Sequence, residues 1–360
     1  MSCSPCLAVV APSMEVLTLS HEKSMKPIAV VILNWNGAAL LQEYLPSVCR
    51  NTPVELADVI VADNGSTDHS VEVLKREFPS VHTILFDQNY GFAEGYNRAI
   101  EQLADYRYIV LLNSDVAVTE GWLQPLYDYA EVHSDVAAMQ PKIRAYRDRE
   151  SFEYAGAAGG YLDCNAYPYC RGRIFDTVER DNGQYDEVCD VAWASGAALF
   201  VRTDLYRKAG GLDAAFFAHM EEIDLCWRLR LMGYRVVAVP QGVVYHYGGA
   251  SLDSSSPRKL YLNYRNNLLM MYKNLPVDMR TWRIFRRQVY DGVSAVKYLL
   301  SGQWHFVKAV WNAHRDFDKM KRQYHTQPTE NRLNDLPQGR VNIILDYFLR
   351  GKKRYTDVIK

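Results

Sequence analysis

The feature that most constrains the fold is a regular alternation of strand-like and helix-like segments between residues 28 and 141. The first apolar run, IAVVIL, is continuous, as is typical of a parallel strand that is buried on both faces. The segments between the strands carry apolar residues at helical spacing and can supply the crossover connections that parallel strands require. Strands are predicted at residues 28–33, 59–62, 81–86 and 108–112, and helices at 38–49, 68–78, 93–103 and 122–132. We therefore predict an α/β fold with a mostly parallel sheet and helices on both faces.

A polar loop follows each of these four predicted strands. The loops begin at residues 34, 63, 87 and 113 and read NWNG, DNGSTD, DQNYG and NSD. Ligands of open α/β sheets bind outside the carboxyl ends of the strands, where such loops meet. Any one of these loops could be an ordinary turn, but the four together predict a ligand site at one edge of the sheet.

The rest of the chain has a different pattern. Residues 150–187 are polar and rich in Gly and Tyr, which indicates a long excursion or an antiparallel flap. A helix is predicted at 220–232, ended by Gly233, and strands are predicted at 234–239 and 243–247. The predicted domains are an N-terminal extension at 1–25, expected to be disordered, an α/β domain at 26–253 and a mainly helical region at 254–360.

Charge is distributed unevenly along the chain. The net charge of −1 offers no general case for binding nucleic acid. Residues 258–360, however, contain 21 Lys and Arg against 8 Asp and Glu, whereas the rest of the chain contains 20 against 34. Aromatic residues interleave with these cations, a pattern that is typical of basic amphipathic helices on anionic membrane surfaces. Docking of the same charges on the acidic α/β domain or on a second subunit is the alternative.

Three further features bear on the location of the protein. The sequence contains no run of roughly 18 apolar residues, so we predict no transmembrane helix. The seven cysteines follow no metal-site spacing, which favours a reducing compartment. No basic segment precedes the short apolar run near the N-terminus, and Met25 is a second candidate start. We predict a cytoplasmic protein, either free or attached peripherally to the inner face of the membrane.

Six motifs occur in the order found in the inverting glycosyltransferases of family 2. They are NWNG, DNGSTD, NYGFA and NSD, followed by EEID at residue 221 and by His246. The sequence resembles this family from about residue 27 to 249, and within it the rhamnosyltransferase-like branch most of all. The resemblance implies a GT-A nucleotide-sugar fold and a metal-dependent hexosyltransferase that inverts the transferred sugar.

The NSD loop resembles the Asp-x-Asp motif of the family, with Asn113 in the first place. By this resemblance Asp115 binds a divalent cation, Mg²⁺ or Mn²⁺, with His246 as a second ligand, while Asn113 and Ser114 contact the donor. Such a cation would neutralise the charge of a diphosphate leaving group. The alternative is a simple Asn-Ser-Asp turn together with a structural histidine.

Asp63 follows the second strand, where the resemblance implies that its carboxylate accepts a hydrogen bond from the ring N–H of uracil or thymine. The alternative is an aspartate that caps its own turn. The segment from residue 89 to 97 resembles the family pattern Asn-x-Gly-Phe-Ala-x-Gly-x-Asn. The other predicted donor contacts are Asn34, Asn36, Asn89, Gly91 and Asn97.

Three acidic residues begin the predicted helix at 220–232. Inverting transfer needs a base that takes the proton of the acceptor hydroxyl, and the resemblance assigns this role to Glu222, with Glu221 as second choice. Acidic residues are also favoured at a helix N-terminus by the helix dipole, and Asp224 could simply pair with Arg228. Asp224 and Trp193 are predicted, weakly, to contact the acceptor.

The resemblance implies that a rhamnose-like or other hexose moves from a dTDP- or UDP-sugar to a glycan or lipid-linked saccharide acceptor in cell-surface polysaccharide synthesis. A nucleotidyltransferase would need a Gly-rich phosphate loop with Lys or Arg after the first strand, and an NAD-dependent oxidoreductase would need G-x-G-x-x-G. NWNG is neither of these. A non-catalytic nucleotide-sugar or glycan-binding module would tolerate loss of the base and the metal ligand, and both are present.

Overall fold

The computed structural model describes residues 26–248, 256–325, 328, 330–331, 336 and 340–359. The predicted N-terminal extension at 1–25 and the predicted domain boundary at residues 253–254 lie outside the described residues.

Within the described ranges, thirteen strands form two sheets. In chain order they are β1 Ile28–Asn34, β2 Ala57–Asp63, β3 His82–Leu85, β4 Tyr108–Asn113, β5 Val116–Val118, β6 Val136–Ala145, β7 Gly160–Leu162, β8 Pro168–Cys170, β9 Arg173–Ile174, β10 Thr177–Val178, β11 Cys189–Asp190, β12 Ala198–Arg202 and β13 Arg235–His246. The central sheet has the order β11-β13-β6-β12-β4-β1-β2-β3, and β5 also pairs with β13. Strands β7 to β10 form a small antiparallel sheet. The predicted flap is therefore a second layer with its own hydrogen-bond ladder.

The central sheet is mixed. The four strands of the alternating segment run parallel, with β1 between β2 and β4 and β3 beside β2. Strand β12 lies antiparallel to both of its neighbours, β4 and β6, and so interrupts the parallel order of the sheet. The parallel prediction therefore holds for the part of the sheet from which it was made. The two strands predicted at 234–239 and 243–247 are one strand, β13, with a register shift between Val239 and Val243.

Ten α-helices accompany the sheets in the described part of the chain. They are α1 Ala38–Asn51, α2 Ser70–Glu77, α3 Gly91–Glu101, α4 Gln124–Val132, α5 Thr203–Lys208, α6 Glu221–Leu231, α7 Pro257–Asn274, α8 Val277–Leu300, α9 Trp304–Met320 and α10 Tyr355–Val358. No helix in the described ranges is long and apolar enough to span a membrane.

The continuous apolar run of β1 is explained by two cores, one on each face of the sheet. Ala29 and Val31 belong to the core that contains α3 and α6. Ile28 and Val30 belong to the core that contains α1, α2 and α4. Since successive side chains of a strand point to opposite faces, a strand covered on both sides must be apolar at every position. The predicted helices on both faces are thereby confirmed.

The C-terminal helices pack directly on the α/β domain. The side chain of Asn274 in α7 donates to Asp224 in α6 (2.8 Å). Asn267 of the same helix donates to the carbonyl of Ala166 in the excursion (2.7 Å). Both asparagines are buried, so these polar contacts hold the helical region against the domain that carries the strand-end loops.

Candidate active site

The carboxyl ends of three parallel strands meet in register. Asn34, the last residue of β1, lies opposite Asp63, the last residue of β2. On the other side of β1, Leu33 lies opposite Asn113, the last residue of β4. The loops that follow these strands therefore share one edge of the sheet, as the sequence pattern predicts.

The first two loops are joined through the carboxylate of Asp63. Its Oδ2 accepts hydrogen bonds from Asn34 Nδ2 (2.9 Å) and Ser66 Oγ (2.7 Å), and its Oδ1 accepts from the backbone N–H of Ser66 (2.9 Å). Asn36 adds a second link because its Oδ1 accepts from the N–H of Thr67 (2.7 Å). Asp63 thus caps its own turn, which is the alternative to a pyrimidine contact that the sequence analysis named. Its contact with a pyrimidine stays a prediction.

The third loop is tied to the second by Asn64, which the sequence analysis did not single out. Asn64 Nδ2 donates to Asn89 Oδ1 (3.0 Å) and to the carbonyl of Gly91 (3.0 Å), and Asn64 Oδ1 accepts from the N–H of Tyr90 (3.0 Å). Gly91 has a φ of +81°, and a Cβ added there would lie 2.7 Å from the ring of Phe217. Gly91 is therefore required by packing, whether or not a nucleotide approaches it.

Asn97 has a structural role in this structure. Its Oδ1 accepts from Tyr206 OH (2.6 Å) and from the N–H of Leu212 (3.0 Å), and its Nδ2 donates to the carbonyl of Leu212 (2.8 Å). These bonds fasten α3 to the segment that follows α5. The structure therefore gives no support to the predicted contact between Asn97 and the donor.

Asp115 and His246 are brought together as predicted. His246 lies opposite Val116 where β13 pairs with β5, which places its Nε2 3.1 Å from Asp115 Oδ1. Asn113 Nδ2 lies 3.5 Å from the same nitrogen, and Asn113 Oδ1 is buried without a protein hydrogen-bond partner. Ser114 is half-buried between the two.

Glu153 completes this cluster and was missed by the sequence analysis. Its Oε1 lies 3.3 Å from His246 Nδ1. Glu153 belongs to the Gly- and Tyr-rich excursion, where nothing in the local pattern marks an acidic site residue. Residues 151–153 turn back antiparallel to the end of β6, which itself pairs with β13, and this return brings Glu153 to the histidine.

The charges of the cluster stabilise one another. Burial acts to lower the pKa of His246, but Glu153 and Asp115 outweigh it and raise this pKa to about 10. Burial likewise acts to raise the pKa of Asp115, but the hydrogen bond and charge of His246 hold it below its ordinary value. Asp115 is thus kept ionised, the form in which a carboxylate binds a cation, whereas His246 would have to release its proton before its imidazole could bind one.

The residue types fit a hard divalent cation. Carboxylate oxygen and imidazole nitrogen are common ligands of Mn²⁺, and Mg²⁺ is usually held by one or two carboxylates plus substrate phosphates. Among the described residues, no group of three or more His, Cys, Asp or Glu side chains is arranged to hold a metal ion by itself. Asp115 and His246 would therefore leave coordination positions for a diphosphate.

Glu221 and Glu222 begin α6 and differ from the first cluster in their surroundings. Burial, and then the charge of Glu222, raise the pKa of Glu221 well above its ordinary value. Burial raises the pKa of Glu222 to about 7. The Oε2 atom of each residue is buried and has no hydrogen-bond partner among the described residues. Glu222 is only half-buried, whereas Glu221 is 4% exposed, so Glu222 is the more accessible of the two.

A short segment before β12 connects the two clusters. The N–H of Asn113 donates to the carbonyl of Ala197 (3.0 Å). A Cβ added to the neighbouring Gly196 would lie 3.6 Å from Cβ and Cγ of Glu222. The NSD loop and the glutamate pair therefore border the same turn, residues 195–197.

Asp224 and Trp193, the two predicted acceptor contacts, are core residues. Asp224 is fully buried and accepts from Arg228 Nε (2.9 Å), Lys273 Nζ (2.8 Å) and Asn274 Nδ2 (2.8 Å). Trp193 is 2% exposed and donates from Nε1 to the carbonyl of Tyr161 (2.9 Å). Both side chains are thus engaged in the packing of this structure, and their contact with an acceptor stays a prediction.

The sequence model for glycosyl transferase family 2 matches residues 29–184. The N-acetylglucosaminyl-diphospho-decaprenol L-rhamnosyltransferase of Mycobacterium tuberculosis strain CDC 1551 is 25% identical over 260 residues, which are 68% of this chain and 83% of that protein. Rhamnosyltransferase WbbL of Escherichia coli K12 is 26% identical over 168 residues, which are 44% of this chain and 61% of that protein.

The fold is similar to that of a solved structure of GalNAc-T7 with UDP, GalNAc and Mn²⁺. The TM-score is 0.54 at 15% identity, and the match covers 70% of this chain and 48% of that chain. At this identity the likeness concerns the fold alone. It confirms the predicted GT-A architecture, to which this chain adds a helical C-terminal region.

Proposed function

Because this chain is a family 2 glycosyltransferase of the rhamnosyltransferase-like branch, we propose that it transfers a hexose with inversion from a dTDP- or UDP-sugar to a saccharide acceptor. The observation that carries the proposal is the placement of two acidic clusters around one turn. Asn113, two residues before Asp115, and Glu222 both border residues 195–197. The cluster of Asp115 and His246 suits a cation that binds the leaving diphosphate. The pair of Glu221 and Glu222 suits a base that takes the proton of the attacking hydroxyl.

The donor would lie across the carboxyl ends of β1, β2 and β4. Asp63, buried at the end of β2, would accept a hydrogen bond from the ring N–H of the pyrimidine. Asn34, Asn36 and Asn89 shape the same edge by joining the loops. Asp115 and His246 would hold Mg²⁺ or Mn²⁺ against the diphosphate, and when bound this cation supplies charge neutralisation to the leaving group.

Glu222 would act as the base. As the acceptor oxygen attacks the anomeric carbon from the face opposite the diphosphate, its proton passes to Glu222, and the bond from the anomeric carbon to the diphosphate oxygen breaks. A single displacement of this kind inverts the anomeric configuration. A base whose pKa is near 7 is largely ionised at a slightly alkaline pH and still holds a proton well.

The acceptor would be a glycan or a lipid-linked saccharide in the synthesis of a cell-surface polysaccharide. This part of the proposal is supported by the similarity to the N-acetylglucosaminyl-diphospho-decaprenol L-rhamnosyltransferase of Mycobacterium tuberculosis, which is named for a lipid-linked saccharide. Peripheral attachment of the basic C-terminal region to the inner face of the membrane would bring the enzyme to such an acceptor.

The experiment that tests the proposal is a panel of dTDP- and UDP-hexoses measured for protection against thermal unfolding. A bound donor stabilises the native state by mass action, and we expect protection that needs Mn²⁺ or Mg²⁺ and is lost with a chelator. The best donor is then supplied with saccharide acceptors, and the anomeric configuration of the product is read by NMR. Retention of configuration would contradict the proposal, and donor binding without any transfer would indicate a binding module.

A further inference from the structure

Helix α8 is polar on its inner face and apolar on its outer face. Of its three buried residues only Ile284 is apolar, and the other two, Arg287 and Asp291, bond to each other (2.8 Å). The outer face carries six large apolar side chains, each about half exposed or more. They are Trp282, Phe285, Val289, Val293, Val296 and Leu300, with exposed fractions of 62%, 56%, 49%, 65%, 54% and 84%.

These six residues form one continuous stripe, which we call the α8 stripe. Their spacing of three or four residues places them on one side of a helix. From Trp282 to Leu300 the stripe extends about 27 Å, at a rise of about 1.5 Å per residue. No described residue covers it. Single apolar side chains scattered over a protein surface are common, whereas a contiguous exposed apolar surface of this length marks an interaction site.

A cation and an aromatic ring lie near the C-terminal end of the stripe. Lys297 is exposed beside it, and Asp278 is the one exposed acidic residue of α8 in the described structure. Trp304 begins the next helix at 67% exposure. The region from residue 258 onward has an excess of 13 positive charges. Tryptophan and phenylalanine between cations are favoured where lipid head groups meet acyl chains.

We propose that the α8 stripe lies flat on an anionic membrane, with its apolar side chains in the head-group region. The charge of the region complements anionic lipid, whereas a second copy of this chain would bring an equally positive region against it. The proposal deepens the proposed function because it names the surface through which a lipid-linked acceptor is approached. It does not depend on transfer being observed.

The test is cosedimentation of the full chain with vesicles of phosphatidylcholine, with and without phosphatidylglycerol. Wild-type protein is expected to bind the anionic vesicles at low salt and to be released at high salt. Val293→Asp should lower the partition coefficient by about tenfold or more, because it puts a charge where an apolar side chain enters the lipid. Val132→Asp in α4, at a position that is 78% exposed on the α/β domain, is the matched control and should bind like wild type.

Val293→Asp should keep the wild-type unfolding temperature and its transfer to a water-soluble acceptor, because Val293 is 65% exposed. If it fails to fold, Leu300→Asp replaces it. The proposal is overturned if wild type does not bind anionic vesicles at low salt, or if the stripe variant binds as well as wild type. It is also overturned if wild type is a dimer without lipid and the variant is a monomer, since a second copy would then be the occupant.

A second inference concerns the segment that leads into α6. Three non-glycine residues there have positive φ: Phe217 (+66°), His219 (+68°) and Met220 (+72°). Such conformations persist only where the surroundings hold them, and they cluster at functional sites. This segment ends at Glu221, so its path sets the direction in which α6 presents Glu222.

The segment is held by α7. Asn266 is fully buried, and its Nδ2 lies within hydrogen-bond distance of the carbonyls of Phe216 (3.0 Å), Ala218 (2.9 Å) and His219 (2.8 Å). Arg265 donates to the carbonyl of Phe216 (3.0 Å) and, from Nε, to Asn266 Oδ1 (2.9 Å). An asparagine of the C-terminal region therefore anchors the strained segment.

We infer that Asn266 is a positioning residue for Glu222. This inference rests on the proposed function, in which Glu222 is the base. Asn266→Ala should lower kcat by about 10²-fold, the cost of a base displaced by about 1 Å, with little change in donor KM. The apparent pKa of the pH–kcat profile should also move, because the burial of Glu222 changes with the segment.

The matched control is Asn267→Ala, the next residue of α7, which is also fully buried but bonds to Ala166 and Arg287. It should lower the unfolding temperature and keep kcat and the pH profile. Equal kcat and pH profiles for the two variants would refute the positioning role. If Asn266→Ala does not fold, Arg265→Lys weakens the same anchor and should move kcat in the same direction. Failure of the proposed function would instead appear as absence of transfer in the wild type.

Discussion

The two acidic clusters of the site both contain carboxylates, and the pKa values of these carboxylates are shifted in opposite directions. Asp115 faces the cationic His246, and its pKa is lowered. Glu221 is buried beside another carboxylate, and the pKa values of Glu221 and Glu222 are raised. A carboxylate that binds a metal cation must be ionised, whereas a carboxylate that acts as a general base must hold firmly the proton it accepts. The surroundings of a carboxylate, more than its identity, thus decide which task it suits.

The comparison is tested most severely by Glu222→Gln, which keeps the size of the side chain and removes its basicity. We expect kcat to fall by about 10²–10⁴-fold, the usual contribution of a general base. Donor binding, measured by titration calorimetry, should hardly change. Glu221→Gln is the matched variant. If Glu221→Gln is inactive and Glu222→Gln is not, the base is Glu221.

Asp115→Asn tests the other cluster. The amide cannot neutralise a cation, and we expect kcat to fall by about 10²–10³-fold, comparable with the loss of one electrostatic contact to the transition state. Affinity for Mn²⁺ in the presence of nucleoside diphosphate should fall as well. If the wild-type enzyme keeps its full activity in the presence of a chelator, transfer does not depend on a metal ion and this part of the proposal is wrong.

Glu153→Ala sharpens the comparison, because Glu153 acts only through His246. Removing a carboxylate that orients a metal-binding histidine typically lowers metal affinity by about 10- to 100-fold. Calorimetry with Mn²⁺ and nucleoside diphosphate measures this affinity. Glu150→Ala, an exposed acidic residue of the same excursion, is the control and should bind Mn²⁺ like wild type. If the two variants bind Mn²⁺ with equal affinity, Glu153 does not orient His246 for metal binding.

The smallest effect concerns pH. A base with a pKa of about 7 is lost as pH falls, so kcat should drop by about tenfold for each pH unit well below 7. The raised pKa also means that the native state binds a proton that the unfolded state releases, so this group reduces stability as pH rises from about 4.5 to 7. Glu222→Gln should therefore raise the unfolding temperature at pH 8 more than at pH 5. Equal changes of the unfolding temperature at the two pH values would show that Glu222 titrates normally.

Strand and loop order could be predicted because their causes are local. The apolar run of β1 and the polar loop after it are adjacent in the chain, and parallel pairing alone brings Asn34, Asp63 and Asn113 to one edge. The pairing of Asp115 with His246 required the family resemblance, since 131 residues separate them.

The remaining parts of the site depend on contacts between distant segments. Glu153 reaches His246 because residues 151–153 turn back beside the end of β6, which pairs with β13, and Asn266 reaches the segment before α6 because α7 packs on it. Trp193 and Asp224 look available in the sequence, whereas other elements bury both side chains in the structure. By itself the sequence determined the strand-end loops, the alternation that builds the sheet and the charge of the C-terminal region, because periodicity and loop chemistry act over a few residues. Only the tertiary structure decided which carboxylates face a cation and which face each other, because pKa values depend on burial and on neighbours brought together by folding.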